Sequence, residues 1–175
     1  MALNGAQGAP TISSTLGPLS LPDFLELVAA PGGAAEVSAA LGTPVVVVDL
    51  RGAPGSDAPA VRGRVAGLPV VVVGVHPGGP EETPAPVVKL LDVVVADPEA
   101  VVATVEATPQ AAVTLALVLR ASLALGVPAG LAAESAAYSM LQAGSEFARW
   151  RATAPGAGLP ASMPMQRPLL RLTNR

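Results

Sequence analysis

The chain has no cysteine and one histidine, His76. Without cysteine there is no disulfide framework and no thiolate chemistry, which fits a reducing cytoplasm. A lone histidine with no cysteine and no second histidine cannot be half of a recognisable metal site or catalytic triad, so no metal ligand and no catalytic residue is expected. Charged residues make up only 13% of the chain, the net charge is −3, and no basic cluster occurs, which argues against nucleic acid or an anionic membrane surface as a partner. Neither GxxxxGK[ST] nor GxGxxG is present. Aromatics are 2% of residues, so the core must be built from Val, Leu and Ala. The start of the chain lacks the basic-then-apolar order of a secretory signal.

What is abundant is apolar and small: 51% hydrophobic residues, with 18 Gly and 19 Pro, a bacterial-type composition of the kind high-GC coding gives. At 175 residues the chain suits one domain with a real core. Residues 1–20 read as a flexible leader or an edge segment, residues 21–152 as a single α/β domain, and residues 153–175 as a Pro/Gly/Ala-rich tail or linker. The longest apolar region runs from about Ala111 to Ala133. Arg120 interrupts it and Gly126, Pro128 and Gly130 break it, so no membrane span is expected.

Within the domain, three short valine-rich runs bounded by turn residues read as strands buried on both faces: Pro44 to Leu50, Pro69 to Val75 and Leu90 to Ala96. Helical stretches are predicted at about Pro22 to Ala30, Ala34 to Leu41 and Asp57 to Leu68. Valine strands alternating with helices predict a small, mostly parallel sheet of three to four strands.

From Asp97 to Ala152 the pattern is helical. Asp97-Pro98-Glu99 and Thr108-Pro109-Gln110 each place a side-chain acceptor before proline, the order of a helix start. The second opens a helix so apolar that it must lie between other elements or at a subunit interface. A further helix fits Pro128 to Ala143, and a short one carries Phe147 and Trp150. Leu115, Leu119, Leu123, Tyr138, Leu141, Phe147 and Trp150 are the candidate interface residues.

In a parallel sheet a ligand crevice is expected at the carboxyl ends of the strands. Two glycine-containing loops leave such ends, Arg51 to Asp57 and His76 to Glu82. Their backbone N–H groups can approach an anion, which makes Asp49, Gly52, Gly55, His76, Gly78 and Gly79 the candidate ligand-binding residues. Read from composition alone, they are turn residues first.

The run ATPQAAVTLALVLRAS, residues 107–122, followed by GLAAESAAYSMLQAGSEFARWRA, residues 130–152, resembles the C-terminal helices of the enoyl-CoA hydratase/isomerase (crotonase) family. The matching positions are Pro109, Ala112, Leu115, Ala116, Gly130, Leu131, Glu134, Ala137, Leu141, Glu146 and Phe147, about a third of the chain. In that family they serve packing and oligomerisation. The resemblance implies a reduced crotonase-like fold, a homo-oligomer or a catalytic crotonase partner, and no cofactor, with a CoA thioester as the ligand to test. The family's long glycine-rich segment, its AGxDL-like loop and its paired glutamates have no counterpart here. The chain alone is therefore expected to be non-catalytic. The alternative is a minimal enoyl-CoA hydratase/isomerase with a backbone oxyanion hole. RPLLRLTNR, residues 167–175, resembles the opening strand of a crotonase domain, which implies the accessory N-terminal portion of a longer protein.

Overall fold

The computed structural model describes residues 17–52 and 58–153. Four strands, β1 (Leu19–Ser20), β2 (Val45–Asp49), β3 (Val71–Val75) and β4 (Val93–Val95), pair in parallel in the order β1-β2-β3-β4. The helices are α1 (Leu21–Ala29), α2 (Gly33–Glu36), α3 (Ala58–Ala66), α4 (Ala85–Val88), α5 (Glu99–Ala107), α6 (Pro109–Ser122), α7 (Val127–Gln142) and α8 (Ser145–Thr153). The architecture is α/β with a C-terminal helical cluster, as the alternation of valine runs and helices predicts.

Side chains alternate across each strand, so the sheet has two buried faces. Val46, Val48, Val70 and Val72 point to one face, where Leu21, Phe24 and Val28 of α1, Val61 and Val65 of α3, and Val87 cover them. Val45, Val71 and Val73 point to the other face, against Val105 of α5 and Val113 and Ala116 of α6. Right-handed crossovers along a sheet of sequential order place the intervening helices on one side. The second side is left for α5 and α6, which follow the last strand. Gly74, the fourth residue of β3, makes room for two leucines: a Cβ there would lie 2.5 Å from Leu91 Cδ1 and 2.8 Å from Leu50 Cδ1, so both side chains would have to shift.

Several local expectations are corrected. Of residues 1–20, read as a flexible leader or an edge segment, Leu19 and Ser20 form an edge strand: Leu19 pairs with Val48 and Ser20 with Asp49, and the Ser20 hydroxyl accepts from the Asp23 amide to start α1. The stretch from Ala34 to Leu41 is not one helix. It divides into α2 and a 3-10 turn at Ala39–Leu41, because Ser38 is extended and its hydroxyl accepts from the Ala40 amide. The third valine run supplies three strand residues rather than seven. There Asp92 ends the ladder with its side chain, whose Oδ2 accepts from Val72 N at 2.8 Å while its own N–H donates to Val72 O at 2.9 Å.

The cap expected from Thr108 is also replaced. Its hydroxyl donates back to the Thr104 carbonyl, and α5 and α6 bend by 107° at this point. The first amides of α6, those of Gln110 and Ala111, instead donate to the carboxylate of Glu146 in α8, at 3.2 and 2.8 Å. Glu146 is buried, and it is the only contact of this kind joining α8 to the start of α6 among the described residues. Glu146→Ala should lower the melting temperature by about 3–8 °C, the loss of roughly 1–2 kcal/mol of capping and dipole interaction. Glu146→Gln, which keeps an acceptor, should lose about half as much; thermal unfolding by circular dichroism reads both.

Candidate functional site

At the carboxyl end of the sheet, the register Asp49↔Val75 sets Asp49 beside the start of the His76 loop. Asp49 is fully engaged by Arg51. The guanidinium Nε lies 3.0 Å from both carboxylate oxygens, Nη2 lies 2.6 Å from Oδ2, and the Arg51 backbone N–H donates to Oδ1 at 3.0 Å. The guanidinium hydrogen bonds first, and then the backbone N–H, hold the Asp49 carboxylate at about 2, below its ordinary 3.8. A depressed folded value means that whatever this pair adds to stability is complete above pH 3.8 and fades as the pH falls towards 2. Across neutral pH Asp49 is an anion whose acceptors are occupied, which suits a loop anchor and not a base.

His76 donates its backbone N–H to Val95 O at 3.0 Å, and its Nδ1 accepts from the Gly78 amide at 3.2 Å. The neutral ring therefore carries its proton on Nε2. Gly52 and Gly79 have positive φ, +69° and +65°, the left-handed region that glycine enters without strain. Thr83 closes the second loop by donating to the Gly79 carbonyl at 2.9 Å. Gly55 lies outside the described residues. Asp49, Gly52, His76, Gly78 and Gly79 thus share one end of the sheet, where the Asp49 carboxylate, His76 Nδ1 and the Gly78 and Gly79 amides are paired locally.

The strand order bears on what this end of the sheet can form. In open parallel sheets the crevice forms where strand order reverses and successive crossovers pass to opposite faces. The order β1-β2-β3-β4 has no reversal.

A hollow lies at the opposite end, by the first residues of β3 and β4. It has a volume of about 810 Å³ and is lined by Val71, Leu91, Val93, Val105, Ala112, Leu115, Ala116, Leu119 and Leu123, with Arg62 and Lys89 among its polar residues. Its floor is fixed by Arg120. Nη1 donates to the carbonyls of Val65 and Leu68 at 3.1 and 2.7 Å, Nη2 donates to Val70 O at 2.8 Å, and Nε reaches Asp92 Oδ1 at 2.9 Å while Nη2 also pairs with Oδ2. One guanidinium thereby caps the carboxyl end of α3, holds the α3–β3 connection and locks the start of β4. Arg64 makes a second such cap, donating to the Val28 and Ala29 carbonyls at the end of α1. Arg120 enters the sequence reading only as an interruption of an apolar helix. Its phase identifies it: it stands four residues after Ala116 and seven after Val113, on the buried side.

The candidate interface residues divide. Leu115, Leu119, Leu123, Tyr138 and Trp150 are exposed, Leu123 by 79%. Leu141 and Phe147 are partly buried. Gly130, Ala133, Ala137 and Leu141, the partly buried positions of α7, recur at helical spacing and form its seam with α6. Phe147 stacks on Trp150 at 5.5 Å, with Arg151 over the Phe147 ring. The apolar helix α6 is therefore covered on its sheet side and its α7 side, and open along a third stripe.

The fold and its two ends define an α/β protein with a sequentially ordered, four-stranded parallel sheet covered by helices. Comparison with protein-family models, with curated proteins and with solved structures finds no match to this chain. No single helix among the described residues is long and apolar enough to cross a membrane, and no three acidic or histidine side chains among them converge on a metal position.

Proposed function

We propose that the chain is a non-catalytic, crotonase-like assembly module of acyl-CoA metabolism that uses the open side of the α6–α7 hairpin to seat another subunit. That subunit is a second copy or a catalytic crotonase. The observation that carries this reading is the stripe Leu115, Leu119 and Leu123, which stands out to solvent from a helix otherwise packed into the core, at exposures of 58%, 57% and 79%. Leucines four residues apart form one continuous ridge, and a ridge of this kind on a folded domain marks an interaction surface. The helical residues that resemble the crotonase C-terminal helices, Leu115, Leu131 and Glu134 among them, lie on this same hairpin.

Light scattering of the purified chain, alone and mixed with a crotonase, tests the reading. A discrete assembly is expected, and Leu119→Asp, at an exposed position, should abolish it while leaving the circular dichroism spectrum unchanged. A chain that is monomeric at all concentrations and has no affinity for crotonases overturns it. An assembly that forms only with a CoA thioester present would instead direct attention to Asp49, His76, Gly78 and Gly79, with His76→Ala and Gly79→Val as the variants to make.

A further inference from the structure

Val127, Leu131 and Tyr138 fall four and seven residues apart on α7 and are exposed by 76%, 61% and 63%. The spacing puts them on one flank of that helix, next to the seam marked by Gly130, Ala133 and Ala137. α7 follows α6 through a short turn and packs back along it, and in such a hairpin helical phase sets this flank on the same side as Leu115, Leu119 and Leu123. Together the six side chains expose on the order of 700 Å² of apolar surface. That exceeds the patch an ordinary monomer carries and approaches the roughly 800 Å² per partner of a standard interface.

The charges on this side are few and of opposite sign. Glu134 is the only charged residue of α7 and shares the flank of Leu131 and Tyr138. Arg62 and Lys89 border the hollow beside the leucine ridge, and neither forms an ion pair with a described residue. An apolar ridge with an acid and a hollow with two bases are thus present on one chain. A two-fold interface needs this arrangement, in which the same patch supplies both halves of the match.

We infer that two copies of this chain pair about a two-fold axis through their α6–α7 hairpins, the α7 ridge of each entering the hollow of the other and bringing Glu134 to Arg62 and Lys89. The inference rests on the assembly reading and selects its partner. The pairing completes a four-helix layer whose centre is leucine and whose rim is ionic, the usual composition of a stable interface.

Charge reversal tests the pairing, since all three charged side chains are exposed and their exchange should not disturb folding. The full chain should be dimeric by sedimentation. Glu134→Lys and the double variant Arg62→Glu/Lys89→Glu should each weaken dimerisation at least tenfold. The triple variant, with both reversals, should return to within about threefold of the natural chain. Thermal melts confirm that each variant is folded. If the reversals leave the dimer unchanged while Leu119→Asp dissociates it, this pairing is overturned and the assembly reading stands. If the chain is a monomer that binds a crotonase through Leu119, the second copy is overturned as partner. A monomer that binds neither overturns both.

Discussion

Arg120→Ala should lower the unfolding free energy by about 3–5 kcal/mol, a large share of the 5–15 kcal/mol of a typical domain. The side chains of the pair with Asp92 are largely covered, 11% and 17% exposed. Truncation leaves the Asp92 carboxylate without its counter-ion, held only by the Val72 amide, and removes a donor from three carbonyls, those of Val65, Leu68 and Val70. A double variant that also neutralises Asp92 should recover only part of the loss, because the Val70 carbonyl still lacks its donor while those of Val65 and Leu68 keep only their backbone partners, Leu68 N and Val70 N. Arg120→Lys should fall between, since an ammonium has three donors and no fork to span both the carboxylate and the carbonyls. Urea unfolding midpoints provide the readout, and a midpoint for Arg120→Ala within the error of the natural chain would sink this account.

Phe24→Ala should cost a similar amount, about 3–5 kcal/mol. Phe24 is fully buried between α1 and the sheet, and it is the single aromatic in a face otherwise made of valine and leucine. Its neighbours Val46, Val48 and Val72 are β-branched and held in strands, with little rotamer freedom to close over the void. Phe24→Leu, which retains most of the volume, should cost under about 1.5 kcal/mol. Equal losses for the two variants would mean that the site collapses freely and that the core is not close-packed there.

These two residues show what the sequence reveals and what it does not. The valine runs could be read as strands because β-branched residues bounded by Pro and Gly leave few other options. The helices from Glu99 onwards could be read because proline and glycine punctuate them. The first strand could not, since two residues with no hydrophobic pattern become strand only when Val48 and Asp49 of β2 lie alongside. The caps could not be read either. Thr108 has the local form of a helix start, yet Glu146 takes that role from thirty-six residues away, and distance in sequence hides such a partner.

The candidate site divided along the same line. Glycine loops after strands are visible in sequence, whereas the hollow at the other end needs α3, β4, α5 and α6 together. The leucine ridge was legible as apolar but not as open, because hydrophobic periodicity does not say which of two stripes meets the sheet.

The sequential order of the sheet carries a consequence for how the chain is made. Each strand needs only its predecessor, so the layer can accrete as the polypeptide leaves the ribosome, without waiting for distant segments. Arg120 breaks that pattern, for its guanidinium reaches back fifty to fifty-five residues to carbonyls laid down earlier. The nascent sheet therefore stands unlatched until α6 emerges, and its open valine face, Val45, Val71 and Val73, is what a chaperone would meet first.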